Sequence, residues 1–216
     1  MSISDPSIAA PPEQIRSAAP LVRTLDAAAF DAACAELMRM VLRDGRPEAL
    51  VGIRTGGLVV AEAMARSVTD PPPVLPLTSR RAGTGAKSRI GLLPRLLKAL
   101  PRPVVDRLRL LELRLLSRRR RRTIQEQHVD QPEADAVRAR LAGLPPGSRV
   151  LVVDDAVDSG VTLAAVLRLL RETCDPGIDF RSAVITVTLD DPLVEPDYTL
   201  FRGVPCRFPW SFDAAR

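Results

Sequence analysis

The sequence predicts an α/β fold, a parallel sheet covered by helices on both faces. Three observations carry this. Short apolar runs alternate with longer segments of helical periodicity along most of the 216 residues. The apolar runs are continuous rather than alternating, which means burial on both faces of the sheet, the habit of parallel strands. Two of the runs, Ala49 to Ile53 and Arg149 to Val153, lead directly into glycine-bearing turns. In open sheets of this class ligands bind beyond the carboxyl ends of the strands. A site built from those two turns is therefore expected.

The elements follow in chain order. Residues 1–22 read as a flexible tail, with four prolines in the first twenty positions. Residues 26–44 place Phe30, Cys34, Leu37, Met38 and Val41 on one helical stripe, and Gly45 with Pro47 stops that helix. Ala49 to Ile53 reads as a buried strand, Leu58 to Val68 as a helix facing inward through Ala61, Met64, Ala65 and Val68, and Pro73 to Thr78 as a second strand. Residues 79–130 break the alternation. Glu133 to Leu141 reads as a helix closed by Gly143 and Pro145-Pro146-Gly147. Arg149 to Val153 is the most apolar strand, followed by an acidic glycine loop over 154–162 and a helix through Arg171. Arg181 to Leu189 and Tyr198 to Phe201 read as the last two strands. Residues 23–216 thus form one domain with an insert over 79–130.

Composition excludes several classes. An apolar fraction of 46% is too high for a chain disordered throughout. No apolar run is long enough to span a bilayer, and the first residues lack the pattern of a secretory signal. Cys34, Cys174 and Cys206 are too scattered for a disulfide framework or a zinc site. A cytoplasmic protein with reduced thiols is the expectation. Charge is unevenly spread. Residues 79–122 hold 15 cations against Asp106 and Glu112, so the remainder carries a net −8 within a total of +5. Such asymmetry points to an anionic partner for the basic segment.

The stretch Leu151-Val152-Val153-Asp154-Asp155-Ala156-Val157-Asp158-Ser159-Gly160-Val161-Thr162 is the most specific. It reads as a buried strand tipped by two carboxylates, then a small-residue loop opening a helix. Amides at a helix N-terminus bind phosphate, Gly160 allows close backbone approach, and Ser159 and Thr162 add hydroxyl donors. Asp154 and Asp155 would repel phosphate but suit sugar hydroxyls or Mg²⁺. Together these describe a phosphorylated sugar with free hydroxyls. A response-regulator receiver also follows a strand with two acids, but there the pair comes after the first strand, and here no lysine follows Lys98.

This stretch resembles the 5-phosphoribosyl-1-diphosphate (PRPP) motif of the type I phosphoribosyltransferases, and Ile53-Arg54-Thr55-Gly56-Gly57 resembles their pyrophosphate loop. The resemblance implies a Rossmann-like parallel sheet with a C-terminal hood, to which Pro196-Asp197-Tyr198 and Phe208-Pro209-Trp210 are similar. It implies that Asp154 and Asp155 hold the ribose hydroxyls, directly or through Mg²⁺, and that Asp158, Ser159, Gly160, Val161 and Thr162 cradle the 5-phosphate. Asp158 also matches a base-contacting position of purine members. Arg54, Thr55, Gly56 and Gly57 would meet the pyrophosphate, although Arg54 reads equally as a solvated turn residue. The reaction implied is transfer of the phosphoribosyl group to a nitrogenous base, purine or related, by a homodimer. Asp154, Asp155 and Asp158 are the catalytic candidates, and Asp154 and Asp155 the metal ligands.

Other positions stay open. Gly83-Thr84-Gly85-Ala86-Lys87-Ser88 is not a nucleotide P-loop, because Ala86 stands where that pattern needs glycine. In the resembled family it corresponds to a mobile loop over PRPP, which makes Arg80, Arg81 and Lys87 candidates for the leaving group or a solvated basic loop. Trp210 either stacks over the base or seals the core edge. Purine members carry a lysine after the strand that here ends Thr188-Leu189-Asp190-Asp191. An acid in its place accepts a ring N–H or amine rather than donating to a carbonyl, or is a solvated turn. Residues 104–122 form a leucine-striped helix ending in Arg118 to Arg122. It reads as a packed arm or as a surface for RNA, anionic lipid or a partner helix. Because Arg54-Thr55-Gly56-Gly57 is also similar to a pyrimidine-operon attenuator loop, a PRPP-sensing regulator that binds RNA through the basic insert is the alternative function.

Overall fold

The computed structural model describes residues 22–81 and 127–211, with the side chains of Arg80, Arg81 and Gln127 excepted. The expectations for the tail, for Lys87 and for 104–122 fall outside the described residues. The described chain runs β1 (Arg23–Thr24), α1 (Ala27–Asp44), β2 (Ala49–Arg54), α2 (Gly56–Arg66), β3 (Val74–Arg81), β4 (Gln127–Val129), α3 (Gln131–Leu141), β5 (Arg149–Val157), α4 (Val161–Thr173), β6 (Asp179–Val187), β7 (Tyr198–Arg202) and β8 (Cys206–Arg207). Among them β4, β3, β2, β5, β6 and β7 pair in that order into one sheet, parallel except for β4.

The strands alternate their side chains between two cores, as the pleat requires. Leu50, Leu151, Val153, Ala183 and Ile185 face α1 and α2, meeting the stripe Phe30, Cys34, Leu37, Met38 and Val41. Ala49, Val51, Ile53, Val150, Val152 and Val184 face α3 and α4, meeting Val137, Leu141, Val166 and Leu170. Both strand faces are therefore apolar, which is why the sequence shows no alternation. Helix starts are set by local chemistry. Asp26 caps α1 by accepting from the Ala29 amide at 2.8 Å, and Asp130 caps α3 by accepting from the Glu133 amide at 3.1 Å.

The chain places β3 on one side of β2 and β5 on the other. The winding direction reverses between β2 and β5, and such a reversal opens a crevice at the carboxyl ends of the two strands. Both glycine turns open onto it.

Several boundaries differ from the sequence expectation. β5 continues four residues past Val153, because Asp154, Ala156 and Val157 remain paired with Val184, Thr186 and Val187 of β6 after its pairing with β2 has ended. The acid pair thus lies within a strand rather than in a loop. β6 spans Asp179–Val187 rather than Arg181 to Leu189, and α2 begins at Gly56 rather than Leu58. β3 runs on to Arg81 because Ser79, Arg80 and Arg81 pair with Val129, His128 and Gln127. That pairing partner lies 48 residues away along the chain and left no local signal. The short parallel pair β1–β8 joins the two ends of the described chain, with Arg207 donating to the Thr24 hydroxyl at 2.8 Å.

Candidate active site

The site is built from the end of β2, the end of β5 and the start of α4. The peptide between Arg54 and Thr55 is cis, and α2 begins at once at Gly56. The two glycines there have no room for a side chain. A Cβ on Gly56 would lie 2.0 Å from Oδ2 of Asp155, and one on Gly57 would lie 2.4 Å from the Val153 carbonyl oxygen and 2.7 Å from the Asp154 Cα. The first turn of α2 is therefore pressed against the acid pair. The two motifs, about a hundred positions apart, share one contact surface.

Asp154 and Asp155 are partly accessible at the surface but closely surrounded. Oδ1 of Asp154 accepts from the Asp155 amide and Oδ1 of Asp155 from the Ala156 amide, both at 2.9 Å. Burial, followed by the neighbouring Asp155 carboxylate, holds the Asp154 carboxyl well above the usual range. Burial likewise raises Asp155. Two acids that resist ionising side by side are stabilised as anions by a cation or by hydroxyl donors. Their hard oxygen donors fit Mg²⁺.

The turn from β5 to α4 follows. Asp158 is exposed and accepts from the Thr188 hydroxyl at 2.5 Å. Gly160 caps α4 with φ of 76°, and no side chain satisfies the first amides of the helix. Val161 is buried, so only its amide can face a ligand, whereas Thr162 is half-buried. Gly160 corrects one expectation. Its missing side chain makes room for the protein itself, since a Cβ would lie 2.9 Å from the Leu193 amide nitrogen and 3.0 Å from that of Val194. The segment 192–194 roofs this turn, and the Leu193 amide donates to the Ser159 carbonyl at 2.9 Å.

Other candidates are distributed as follows. Arg54 ion-pairs through Nε with Oε1 of Glu133 at 3.2 Å, so it is not simply solvated. Trp210 stacks on Phe208 with centroids 5.0 Å apart and meets Phe30 edge-on at 5.1 Å, while 40% of it stays exposed. That packing seals the edge of the core beside α1. The backbone of Arg80 and Arg81 is in β3, so residues 79–81 belong to the sheet rather than to the insert expected over 79–130. Pro196-Asp197-Tyr198 is also corrected. It opens β7, with Tyr198 paired to Ala183 in the main sheet rather than standing in a separate hood. There Asp197 accepts from the amide and hydroxyl of Ser182, each at 2.8 Å, and the Tyr198 hydroxyl donates to Asp44 at 2.9 Å. The first pair ties the start of β7 to β6, and the second ties β7 to the end of α1.

Two side chains at the site escaped the sequence reading, Glu133 and Thr188. Glu133 did carry a signal. Asp130-Gln131-Pro132-Glu133 has the spacing of a capping box, in which the glutamate turns back to the cap amide. Here its carboxylate instead accepts from the Thr78 amide at 2.6 Å.

The model of the phosphoribosyl transferase domain family matches residues 23–202. The chain belongs to this family. It is a phosphoribosyltransferase, an enzyme of the glycosyltransferase type. Among solved structures, the purine phosphoribosyltransferase from Pyrococcus horikoshii Ot3 is similar, with 17% identity, 89% of this chain and 95% of that one covered, and a TM-score of 0.55. The Helicobacter pylori xanthine-guanine-hypoxanthine phosphoribosyltransferase is 18% identical, with 88% and 94% covered and a TM-score of 0.53. A hypothetical protein from Neisseria gonorrhoeae with bound ppGpp is 15% identical, with 88% and 89% covered and a TM-score of 0.53. At these identities the likeness is one of fold. Comparison with curated proteins finds no match. Among the described residues no helix is long and apolar enough to cross a membrane.

Proposed function

We propose that the enzyme binds PRPP at the β2/β5 crevice and transfers its phosphoribosyl group to a ring nitrogen of a nitrogenous base, releasing pyrophosphate. The observation that carries this reading is the abutment of Gly56 and Gly57 on Asp154 and Asp155. It brings a turn rich in backbone donors within contact of paired carboxylates, with the uncapped start of α4 immediately downstream. An anion and a polyhydroxyl group on one ligand satisfy that arrangement.

In this reading the amides of Ser159 to Thr162 and the Thr162 hydroxyl hold the 5-phosphate, aided by the helix dipole. Asp154 and Asp155 accept from the 2- and 3-hydroxyls or hold Mg²⁺. A metal held by Asp154 and Asp155 would supply positive charge that favours departure of pyrophosphate. The bond from the anomeric carbon to the pyrophosphate oxygen breaks as the base nitrogen bonds to that carbon. The sugar passes through an oxocarbenium-like state, as in glycoside chemistry. Arg54 and the first amides of α2 meet the developing negative charge on pyrophosphate. Asp158, oriented by Thr188, faces the base and accepts its N–H. Most of the acceleration comes from positioning.

A panel of purine and pyrimidine bases, incubated with PRPP and Mg²⁺ and read by pyrophosphate release, tests the proposal. Base-dependent release that is lost in Asp155→Asn supports it. Absence of both PRPP binding and release across the panel refutes it. The family resemblance also implies a homodimer, for which mass by light scattering is the direct check; a monomeric mass removes the dimer.

A further inference from the structure

Arg54 stands at the lip of the crevice, yet its one ion pair among the described residues uses only Nε. The partner, Oε1 of Glu133, comes from the first turn of α3, and the other carboxylate oxygen of Glu133 accepts from the Thr78 amide in β3, opposite Arg54. The Asp130 amide in turn donates to the Thr78 carbonyl at 2.9 Å, and Asp130 caps the helix that carries Glu133. One carboxylate thus ties together the end of β2, the interior of β3 and the start of α3. A guanidinium held at Nε has a fixed plane, and its two terminal nitrogens remain as a fork, the geometry that suits two oxygens of a phosphate group.

We infer that Glu133 is a positioning residue for pyrophosphate recognition, holding Arg54 by Nε so that its terminal nitrogens face the leaving group. The inference rests on the reading of this crevice as a PRPP site and adds to it a residue outside both sequence motifs. Glu133 touches no substrate. It acts through Arg54, whose side chain is 44% exposed and would otherwise sample many rotamers in water.

The informative variant is Glu133→Gln. Its amide oxygen still accepts from the Thr78 amide, so the backbone tie survives while the charge is lost. The expected result is binding of Mg²⁺–pyrophosphate weakened about three- to fivefold by calorimetry, the scale of a half-exposed ion pair. The KM for PRPP rises and kcat falls with it, because Arg54 meets charge that develops in the reaction, and the melting temperature stays within a degree or two of the parent. In an Arg54→Gln background the Glu133→Gln change should add nothing, because the group it positions is gone. Independent, additive losses in the double variant would overturn the inference, as would pyrophosphate affinity unchanged by Glu133→Gln in a parent that binds it. A parent that binds neither PRPP nor pyrophosphate overturns the reading of the crevice and this inference with it.

Discussion

Substituting alanine for Gly56 tests how the two motifs are joined. The added Cβ would lie 2.0 Å from Oδ2 and 2.3 Å from Cγ of Asp155, where ordinary contact begins at 3.4 Å. The carboxylate must retreat by about 1.4 Å to restore that contact. It can do so, because the obstacle is the end of a side chain. The fold should therefore survive, helped by the better helix propensity of alanine, up to ~1 kcal/mol. Catalysis should not, since a misplacement of ~1 Å costs about 10²-fold. The assay is kcat/KM for PRPP from pyrophosphate release, alongside a melting curve. Gly57→Ala is the contrast. Its Cβ would meet the Val153 carbonyl oxygen at 2.4 Å and the Asp154 Cα at 2.7 Å, which are backbone atoms that cannot swing aside. That variant should lose ~1–3 kcal/mol of stability, as overpacked sites do. The decisive measurement is Gly56→Ala combined with Asp155→Ala. If Gly56 matters through Asp155, the double variant is no worse than Asp155→Ala alone. Multiplying losses would show that Gly56 serves the ligand by another route, and the reasoning would fail.

Three further outcomes follow from the site and the insert. Asp154→Asn keeps the acceptor for the Asp155 amide but removes a carboxyl whose folded pKa is raised by burial and by Asp155. A raised acid lowers folding stability as pH climbs from its unfolded value of about 4, so the variant should melt higher than the metal-free parent at neutral pH, with the difference closing in acid. A constant difference across pH would contradict the cause given, and Mg²⁺-dependent PRPP binding should be lost in the same variant. Thr162→Val should weaken PRPP binding by ~1.5–3 kcal/mol, the worth of a hydrogen bond to a charged group, with little change in fold; equal affinity by titration would remove Thr162 from the phosphate cradle. Changing Arg118 to Arg122 together to serine should leave turnover nearly intact and abolish binding to RNA or anionic vesicles, a binding that should also fall steeply with salt; turnover lost as severely as in a combined change of Arg80, Arg81 and Lys87 would place the arginine run in the active site.

Local chemistry determined the elements and the acids. The helical stripe from Phe30 to Val41, the continuous apolar strands and the glycine turns identify an α/β sheet because periodicity and burial act over a few residues. The carboxylates of Asp154 and Asp155 and the helix start at Gly160 are equally legible, because an apolar strand, paired acids and a small-residue turn opening a helix are written in consecutive residues. What those residues touch is decided elsewhere. That Gly56 and Gly57 are bare because Asp155, Asp154 and Val153 fill the space follows only from the pairing of β2 with β5. That Gly160 yields to Leu193 and Val194, and that Asp197 ties β7 to β6 while Tyr198 ties it to α1, depends on contacts between segments distant in the chain. Glu133 reaches Arg54 from 79 residues away because β4 returns the chain alongside β3. Sequence fixes what a residue can donate, accept or bury within its own turn or strand. The partner it meets is set by how strands order themselves in the sheet, which depends on the summed packing of both cores and on no single segment.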